Sequence, residues 1–362
     1  MVNAAIMYGF NEPLRVESVR LKAPRPDEVV VKIAASGVCH SDLSILRGYF
    51  PIPPPLVLGH EGAGVVEEVG KEVTDLKPGD HVVISFVANC GACAYCVAGK
   101  HHLCVAGTRV MGGNAGTFEK DGVEIGRLTG VGSFAERTLV RATAAIKIRD
   151  DVPLDRACLV GCGVTTGVGA AINTARVTPG QTVAVFGCGG VGLNVVQGAA
   201  LAGARRIVAV DVVEQKLAWA RDFGATDTVH AKEAGNVPDA IRGLTDGLGV
   251  DVAFEVIGAP EVMLQAFQSL KRGGKAVIVG IAPTGAGLTV PAGMLPNEGK
   301  SIVGSLYGSA NVRRDFPRWL DLYMQKKLKI DELVSRRIRL DQVNDALAAL
   351  ERGEVKRSVI VF

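Results

Sequence analysis

Six residues, Gly187-Cys188-Gly189-Gly190-Val191-Gly192, constrain the fold of this chain more than any others. They match G-x-G-x-x-G, a weak signal alone. Here they follow the apolar run 183–186 and open a helix-like stretch over 192–202, the context in which the pattern binds a dinucleotide. Gly187 permits a tight turn, Gly189 lets backbone approach a pyrophosphate, and Gly192 lets helix pack close to strand. With Gly190 and Val191 they front a helix N-terminus, whose free N–H groups and dipole favour an anion. The alternation continues downstream. Strand-like runs at 207–211, 228–230, 252–256, 275–280 and 301–306 are interleaved with helical ones at 214–223, 238–244 and 261–270. This predicts an α/β unit, a doubly wound parallel sheet of six strands with helices on both faces. Asp211 ends the second strand, nineteen residues after Gly192. A carboxylate there accepts hydrogen bonds from adenosine ribose hydroxyls and repels a 2′-phosphate. Val212 and Val213 follow, with no Arg to receive that phosphate, so NAD is favoured over NADP.

The first half reads differently. Short β-like runs at 28–34, 64–69, 81–86 and 134–140 are separated by turns such as Pro78-Gly79-Asp80, and few segments look helical. This half carries most of the eight cysteines. Cys90, Cys93, Cys96 and Cys104 stand at gaps of two, two and seven residues and can wrap one ion in a short loop. Cys39, His60 and Cys162 are far apart in sequence and can form a second, open set. Four thiolates make a closed, structural zinc site, whereas two Cys and one His leave a position for water or substrate, the catalytic zinc pattern. C-x2-C-x2-C also begins a ferredoxin cluster motif, but that motif continues with three residues to Cys-Pro. Here seven intervene and Val105 follows Cys104. Taken singly, Cys39 or Cys162 would read as a small buried hydrophobe, and His60 as an ordinary hydrogen-bonded histidine. Their setting lifts them. Cys39-His40-Ser41-Asp42 follows a strand and offers metal, hydroxyl and carboxylate groups together. Glycines flank His60-Glu61, where the backbone must turn, and Cys162 lies between Gly161 and Gly163.

At 362 residues the chain should hold about two domains. It is 48% hydrophobic and 21% charged, as an enzyme with a large core would be. Net charge is +3 with no block of like charge, which argues against a nucleic-acid partner. The N-terminal residues lack a basic region and an apolar run, so a cytoplasmic setting and metal-bound rather than disulfide-bonded cysteines are expected. Residues 177–204 carry no charge and are long enough to span a bilayer. Pro179-Gly180, the glycines of the fingerprint, Asn194 and Gln197 make a buried strand, turn and helix the better reading, with no membrane partner.

Gly59-His60-Glu61-Gly62-Ala63-Gly64-Val65-Val66-Glu67-Glu68-Val69-Gly70 resembles the signature of zinc-containing alcohol dehydrogenases of the medium-chain dehydrogenase/reductase superfamily. The Cys90 lobe, Gly161-Cys162-Gly163-Val164-Thr165-Thr166-Gly167 and the glycine fingerprint recur in that family's order, and the resemblance covers nearly the whole chain. It implies a GroES-like, β-rich catalytic domain built from residues 1–163 and 307–362, with a zinc lobe at 90–104, and a Rossmann NAD-binding domain over 164–306. It implies two zinc ions, a catalytic one on Cys39, His60 and Cys162 and a structural one on Cys90, Cys93, Cys96 and Cys104. It places Asp42 where it would orient His60, Glu61 near the metal, and Ser41 as the proton-relay hydroxyl. It puts His40 and Arg357 at the pyrophosphate, Thr166 near the nicotinamide, and Asp211 and Lys216 at the ribose. Phe50, Phe86 and Leu128 fall at substrate-pocket positions. Without the resemblance, Lys216 and Arg357 read as surface charges.

The activity so implied is reversible hydride transfer between a primary alcohol, with an alkyl, allylic or aryl tail, and NAD, giving the aldehyde. One departure stands out: many members carry a histidine three residues after the relay hydroxyl, and here that residue is Ser44. Residues 49–58 are apolar, proline-stiffened and free of acids. The nearest rival is a formaldehyde dehydrogenase acting on an S-hydroxymethyl thiol, which needs charged groups to grip the thiol. This segment has none, although Arg109 lies near an anion-binding arginine of that class. The alternative of another kind is a non-catalytic NAD- or zinc-binding protein. A zinc-free quinone reductase is disfavoured by the ligand set. A homodimer or homotetramer, paired through the strand at 301–306, is the expected assembly.

Overall fold

The alternating half forms the parallel sheet. Its six strands lie in the order Asp227–His230, Arg206–Asp211, Thr182–Phe186, Val250–Glu255, Leu270–Ile278 and Ser301–Gly304, every neighbouring pair parallel. Thr182–Phe186 is buried along its whole length, as a central strand covered on both faces must be. The connecting helices are Gly190–Leu201, Glu214–Asp222, Val237–Gly243 and Pro260–Gln268. Asn236 caps the third by accepting from the Asp239 N–H at 3.1 Å, with a proline in its first turn. Sequence order reverses between Thr182–Phe186 and Val250–Glu255, so a crevice opens outside their carboxyl ends.

The structure is a computed structural model that describes residues 1–110 and 116–362, with backbone only at 108–110. Arg109 therefore lies outside the described side chains. The chain divides into two units, Met1–Gly163 with Asn311–Phe362, and Val164–Ala310. The second crossing thus falls after Ala310 rather than between 306 and 307. The reason is local. Residues 305–309 turn back within the second unit, where Asn173 Nδ2 donates to the Gly308 carbonyl at 3.2 Å. Thr174 Oγ1 lies 2.8 Å from Ser305 Oγ and 2.7 Å from Ser309 Oγ.

The first unit is β-rich. A small closed barrel contains Val2–Met7, Arg15–Leu21, Phe118–Lys120, Val123–Arg127 and Leu56–Val57. A larger sheet runs Ala145–Lys147, His81–Ile84, Glu61–Val69, Glu28–Val38, Arg357–Val361 and Val334–Ile338, with Arg137–Arg141 also paired to Glu28–Val38. The chain end packs back here, Ser358 opposite Val38 and Val361 opposite Ala35. Helices Val312–Met324 and Val343–Glu351 complete this unit's C-terminal part. Among the described residues no single helix is long and apolar enough to cross a membrane.

Candidate active site

Sheet register assembles the site. Gly37 pairs with Glu61 and Ser36 with Gly62, so the end of Glu28–Val38 lies beside the start of Glu61–Val69. Cys39 leaves the first strand and caps the helix His40–Leu46 from an extended conformation. Asp42, fully buried, holds three groups. Its Oδ2 accepts from the Cys39 N–H at 3.0 Å. Its Oδ1 accepts from the Gly59 N–H at 3.0 Å and from His60 Nδ1 at 3.1 Å. His60 Nε2 is buried without a hydrogen-bond partner. Gly59 has φ +90°, which favours glycine. Gly62 lies within a strand instead of a turn, and is needed because a Cβ there would sit 2.8 Å from Ser133 Cβ.

Cys162 occupies the break between the helical turn Cys158–Gly161 and the helix Gly163–Gly169. One ligand atom each from Cys39, His60, Glu61 and Cys162 lie within 4.8 Å of one another, and all four residues are buried. Glu61 Oε1 accepts from the Gly163 N–H at 3.1 Å, and Oε2 is buried without a partner. Arg357, expected from residue type alone to be a surface charge, is only 2% exposed. Its guanidinium lies 3.7 Å from Glu61 Oε1 and 3.9 Å from Cys39 Sγ. The pull of the chain end into the sheet buries it, and the negative groups around it keep it charged.

The electrostatics follow from this packing. The Cys39 thiol is drawn down by its hydrogen bond with Cys162, against burial, with the charges of Arg357 and His60 helping. Cys162, sharing that proton and buried, is pushed up. Burial lifts the Glu61 carboxyl to about 7 despite Arg357. Burial disfavours the His60 imidazolium, but Asp42 and Cys39 together outweigh it and hold its pKa above the ordinary value. Two buried sulfurs and two unpartnered buried polar atoms around one point are rare without an occupant. They are a donor set suited to zinc, with Asp42 placed to keep the proton on Nδ1 so that Nε2 would give its lone pair to a bound ion.

Other expected residues fall as follows. Ser41 is half-buried with its hydroxyl 3.9 Å from Cys39 Sγ. Phe86 stands edge-on to His60, with ring centroids 5.9 Å apart at 87°. Phe50 is half-buried against the barrel core. Leu128 has no exposed surface and belongs to that core, so it presents nothing to an open pocket. His40 is exposed at the first turn of its helix.

The Cys90 lobe gathers Cys90, Cys93, Cys96 and Cys104 within the same 4.8 Å limit. Four sulfurs around one zinc at 2.3 Å would stand about 3.8 Å apart; Cys93 and Cys104 are 4.0 Å apart. Backbone N–H groups point at the sulfurs: Cys90 N–H to Cys104 at 3.2 Å, Cys93 N–H to Cys90 at 3.3 Å, and Gly107 N–H to Cys104 at 3.4 Å. The N–H groups of Cys96 and Val105 draw the Cys93 thiol down to about 6, whereas burial lifts Cys96 to about 12. A cage this tight suits a single ion.

In the second unit, Gly187 turns at φ +96°, and a Cβ on Gly192 would lie 1.8 Å from the Gly187 carbonyl oxygen. A Cβ on Gly189 would meet nothing within 4 Å, leaving open space before the helix Gly190–Leu201. Asp211 has a task that spacing alone did not show. Its Oδ2 accepts from the Cys188 N–H at 2.8 Å, and its Oδ1 from the Val212 and Val213 N–H groups at 2.8 and 3.0 Å. The carboxylate braces the glycine turn to the next strand. Thr166 and Lys216 are half-buried in this unit.

Comparison with known proteins decides the family. Residues 25–150 match the alcohol dehydrogenase GroES-like domain, and residues 190–325 the zinc-binding dehydrogenase domain. An S-(hydroxymethyl)glutathione dehydrogenase of Paracoccus denitrificans is 40% identical, the match covering 99% of each chain. The chain belongs to the zinc-dependent alcohol dehydrogenases of the medium-chain dehydrogenase/reductase superfamily. Two solved structures agree. An alcohol dehydrogenase zinc-binding domain protein from Burkholderia ambifaria superposes with TM-score 0.96 at 37% identity, covering 100% of this chain and 98% of that one. Benzyl alcohol dehydrogenase from Acinetobacter calcoaceticus superposes with TM-score 0.94 at 33% identity, covering 100% and 99%. As a zinc alcohol dehydrogenase, the chain is an oxidoreductase of CH–OH donors that uses zinc and a nicotinamide dinucleotide. The reading of a non-catalytic zinc or dinucleotide store falls away.

Proposed function

We propose that this alcohol dehydrogenase oxidises primary alcohols with an alkyl, allylic or aryl tail to aldehydes, reversibly and with NAD. The observation that carries the reading is the Cys39–His60–Cys162 cluster, with the Ser41 hydroxyl and the Phe86 ring set directly against it. Cys39, His60 and Cys162 would hold the catalytic zinc, and Cys90, Cys93, Cys96 and Cys104 the structural one. When bound, the zinc supplies a Lewis acid for the substrate oxygen and NAD supplies the hydride acceptor. Asp42 fixes the His60 ring, and Ser41 carries the substrate's hydroxyl proton away. Phe86 keeps water from one side of the cluster and offers an apolar surface to the substrate tail, with Phe50 further out. Asp211, beside Val212 and Val213 and without an arginine, favours NAD by repelling a 2′-phosphate. His40 and Arg357 serve the pyrophosphate, Thr166 the nicotinamide and Lys216 the ribose.

The similarity to the Paracoccus enzyme supports a second reading, an S-hydroxymethyl thiol as substrate. The acid-free, apolar segment 49–58 weighs against it. The assembly we favour is a homo-oligomer, since Ser301–Gly304 is an edge strand of its sheet. Initial rates with ethanol, cinnamyl alcohol, benzyl alcohol and S-hydroxymethylglutathione, each with NAD and NADP, test the proposal. Highest kcat/KM on an aryl or allylic alcohol with NAD is expected. Turnover of the thiol adduct alone would replace the first reading with the second, and preference for NADP would displace Asp211 from the ribose.

A further inference from the structure

The helix Gly190–Leu201 is buried from residue 192 to residue 199, yet two of those residues, Asn194 and Gln197, carry amides. Asn is a poor helix former, and an amide out of water is costly unless it is hydrogen-bonded. The glycine fingerprint asks for neither residue. The two side chains form a chain of donors. Gln197 Nε2 donates to Asn194 Oδ1 at 2.6 Å, and Asn194 Nδ2 donates to the Gly190 carbonyl at 2.7 Å. That carbonyl and the Val191 N–H belong to one planar peptide group and point opposite ways. The first bond of the helix runs from the Leu193 N–H to the Gly189 carbonyl at 2.9 Å. The Val191 N–H lies before it, where the helix offers no carbonyl to receive it. The chain of donors therefore ends at an N–H directed out of the helix N-terminus. There a Cβ on Gly189 would meet nothing within 4 Å, which leaves room for a ligand.

Packing keeps water from this chain of amides. The helix Gly163–Gly169 closes over it at Gly167, where a Cβ would come 2.5 Å from Asn194 Cβ and 2.5 Å from the Val191 carbonyl oxygen. One turn further, a Cβ on Gly198 would come 2.9 Å from Val168 Cα. Asn194 is 1% exposed and Gln197 4%. Away from water, linked hydrogen bonds polarise one another. A donor on the carbonyl of a peptide makes the N–H of that peptide a stronger donor, by roughly 10–30% per link. An anion gains most from this, since hydrogen bonds to charged oxygens are about twice as strong as neutral ones. A side chain that bonds the carbonyl four residues back otherwise tends to bend and slightly weaken its helix. The arrangement therefore disfavours the helix by itself and favours an anion bound at its start.

We infer that Asn194, backed by Gln197, is a positioning residue for the pyrophosphate of the dinucleotide: it holds and polarises the Gly190–Val191 peptide, so that the Val191 N–H is a stronger donor to a phosphate oxygen. The inference rests on the dinucleotide reading above. It is tested on the zinc-loaded enzyme with two probes. ADP-ribose, titrated by calorimetry, carries the pyrophosphate; adenosine, measured by displacement of NADH fluorescence, does not. Asn194→Ala should weaken ADP-ribose roughly three- to tenfold, a part of one charge-assisted hydrogen bond, and leave adenosine unchanged. Asn194→Ser removes nearly the same volume but keeps a donor that can reach the carbonyl four residues back. It should bind ADP-ribose within about twofold of wild type. Asn194→Leu fills the space without a donor and should repeat the alanine result, which answers the question if Asn194→Ala does not fold. Adding Gln197→Met to Asn194→Ala should weaken ADP-ribose no further, because Gln197 acts through Asn194. Wild-type affinity for ADP-ribose in the alanine or leucine variant would overturn the inference. So would equal losses for adenosine and ADP-ribose, a serine variant as weak as the alanine one, or a further loss in the double variant. A wild-type protein that binds neither ADP-ribose nor NADH would instead sink the dinucleotide reading, and this one with it.

Discussion

The Cys90 lobe takes all four sulfurs from residues 90–104, whereas the Cys39 cluster draws on residues 39, 60, 61 and 162. In the lobe, Cys90 is exposed and Cys93 half-buried, and the sulfurs are steadied by local backbone N–H groups. In the cluster every donor is buried, one donor is an imidazole locked by a carboxylate, and a hydroxyl lies alongside. Closing a short loop costs little entropy and needs no other part of the fold. The cluster exists only once Gly37 has paired with Glu61. On the proposed assignment, one arrangement would fill its ion's coordination and the other would leave room for a substrate. The first should therefore govern the lobe's integrity, and the second turnover.

The largest effect expected from this contrast is that of Cys162→Ser. A metal Lewis acid contributes several kcal/mol, so kcat/KM should fall by about 10³-fold or more. Elemental analysis should show the loss of one of two zinc ions while thermal unfolding changes little, since the surrounding sheet is intact. Retention of both ions with normal turnover would break the contrast at its root.

Ser41→Ala comes next. Its hydroxyl stands 3.9 Å from Cys39 Sγ, and general acid–base help is worth about 10²–10⁴-fold. Alcohol oxidation should drop within or near that range while the NADH dissociation constant holds. Ser41→Thr, which keeps the hydroxyl, should remain active. Wild-type rates for Ser41→Ala at every pH would remove Ser41 from the proton path.

Asp42→Asn probes the support behind the cluster. Altering the partner of a metal-bound histidine typically costs 10–100-fold in affinity or activity, and a loss of about that size in zinc affinity, read by chelator competition, is expected here. No change would mean that the Cys39 helix cap and the Gly59 turn alone hold His60 in place.

The same contrast explains what could be read from the sequence. The lobe was legible because its information is local: gaps of two, two and seven residues already bring sulfurs together. The cluster was legible only as three candidates with a suggestive setting, since the pairing that joins them is a property of the sheet. Spacing and residue type say nothing of Arg357 beyond a surface charge, and its burial follows from the C-terminal strand lying beside Glu28–Val38. The start of Glu61–Val69 was missed because Gly62 and Gly64 are poor strand formers. They are tolerated because a Cβ on Gly64 would lie 2.0 Å from the Lys32 carbonyl oxygen. The helix His40–Leu46 has only seven residues, too few to show a periodicity.

Cys93→Ser should have the smallest effect on turnover, and it sharpens the contrast most. The Cys93 sulfur receives N–H groups from Cys96 and Val105 and lies 4.0 Å from Cys104 Sγ. Replacing it removes one of four ligands from a site with no other way to complete a tetrahedron, so the lobe's ion should be lost. Nothing in the Cys39 cluster comes from residues 90–104, and the hydrogen bonds of Asp42 and Glu61 that hold it run to Cys39, Gly59, His60 and Gly163. The kcat/KM of the folded fraction should therefore stay within about threefold of wild type, the tolerance of a substitution that touches no reacting group. Stability should fall instead. Loss of a structural metal belongs among the severe single-residue changes, upward of about 4 kcal/mol, equivalent to a drop in Tm of roughly 10 °C for a unit this size. Limited proteolysis should open the chain first within 90–107, where the sulfurs were held. A loss of turnover as deep as that of Cys162→Ser in the still-folded protein would show that the lobe shapes the reacting site, and the division of labour between the two clusters would fail.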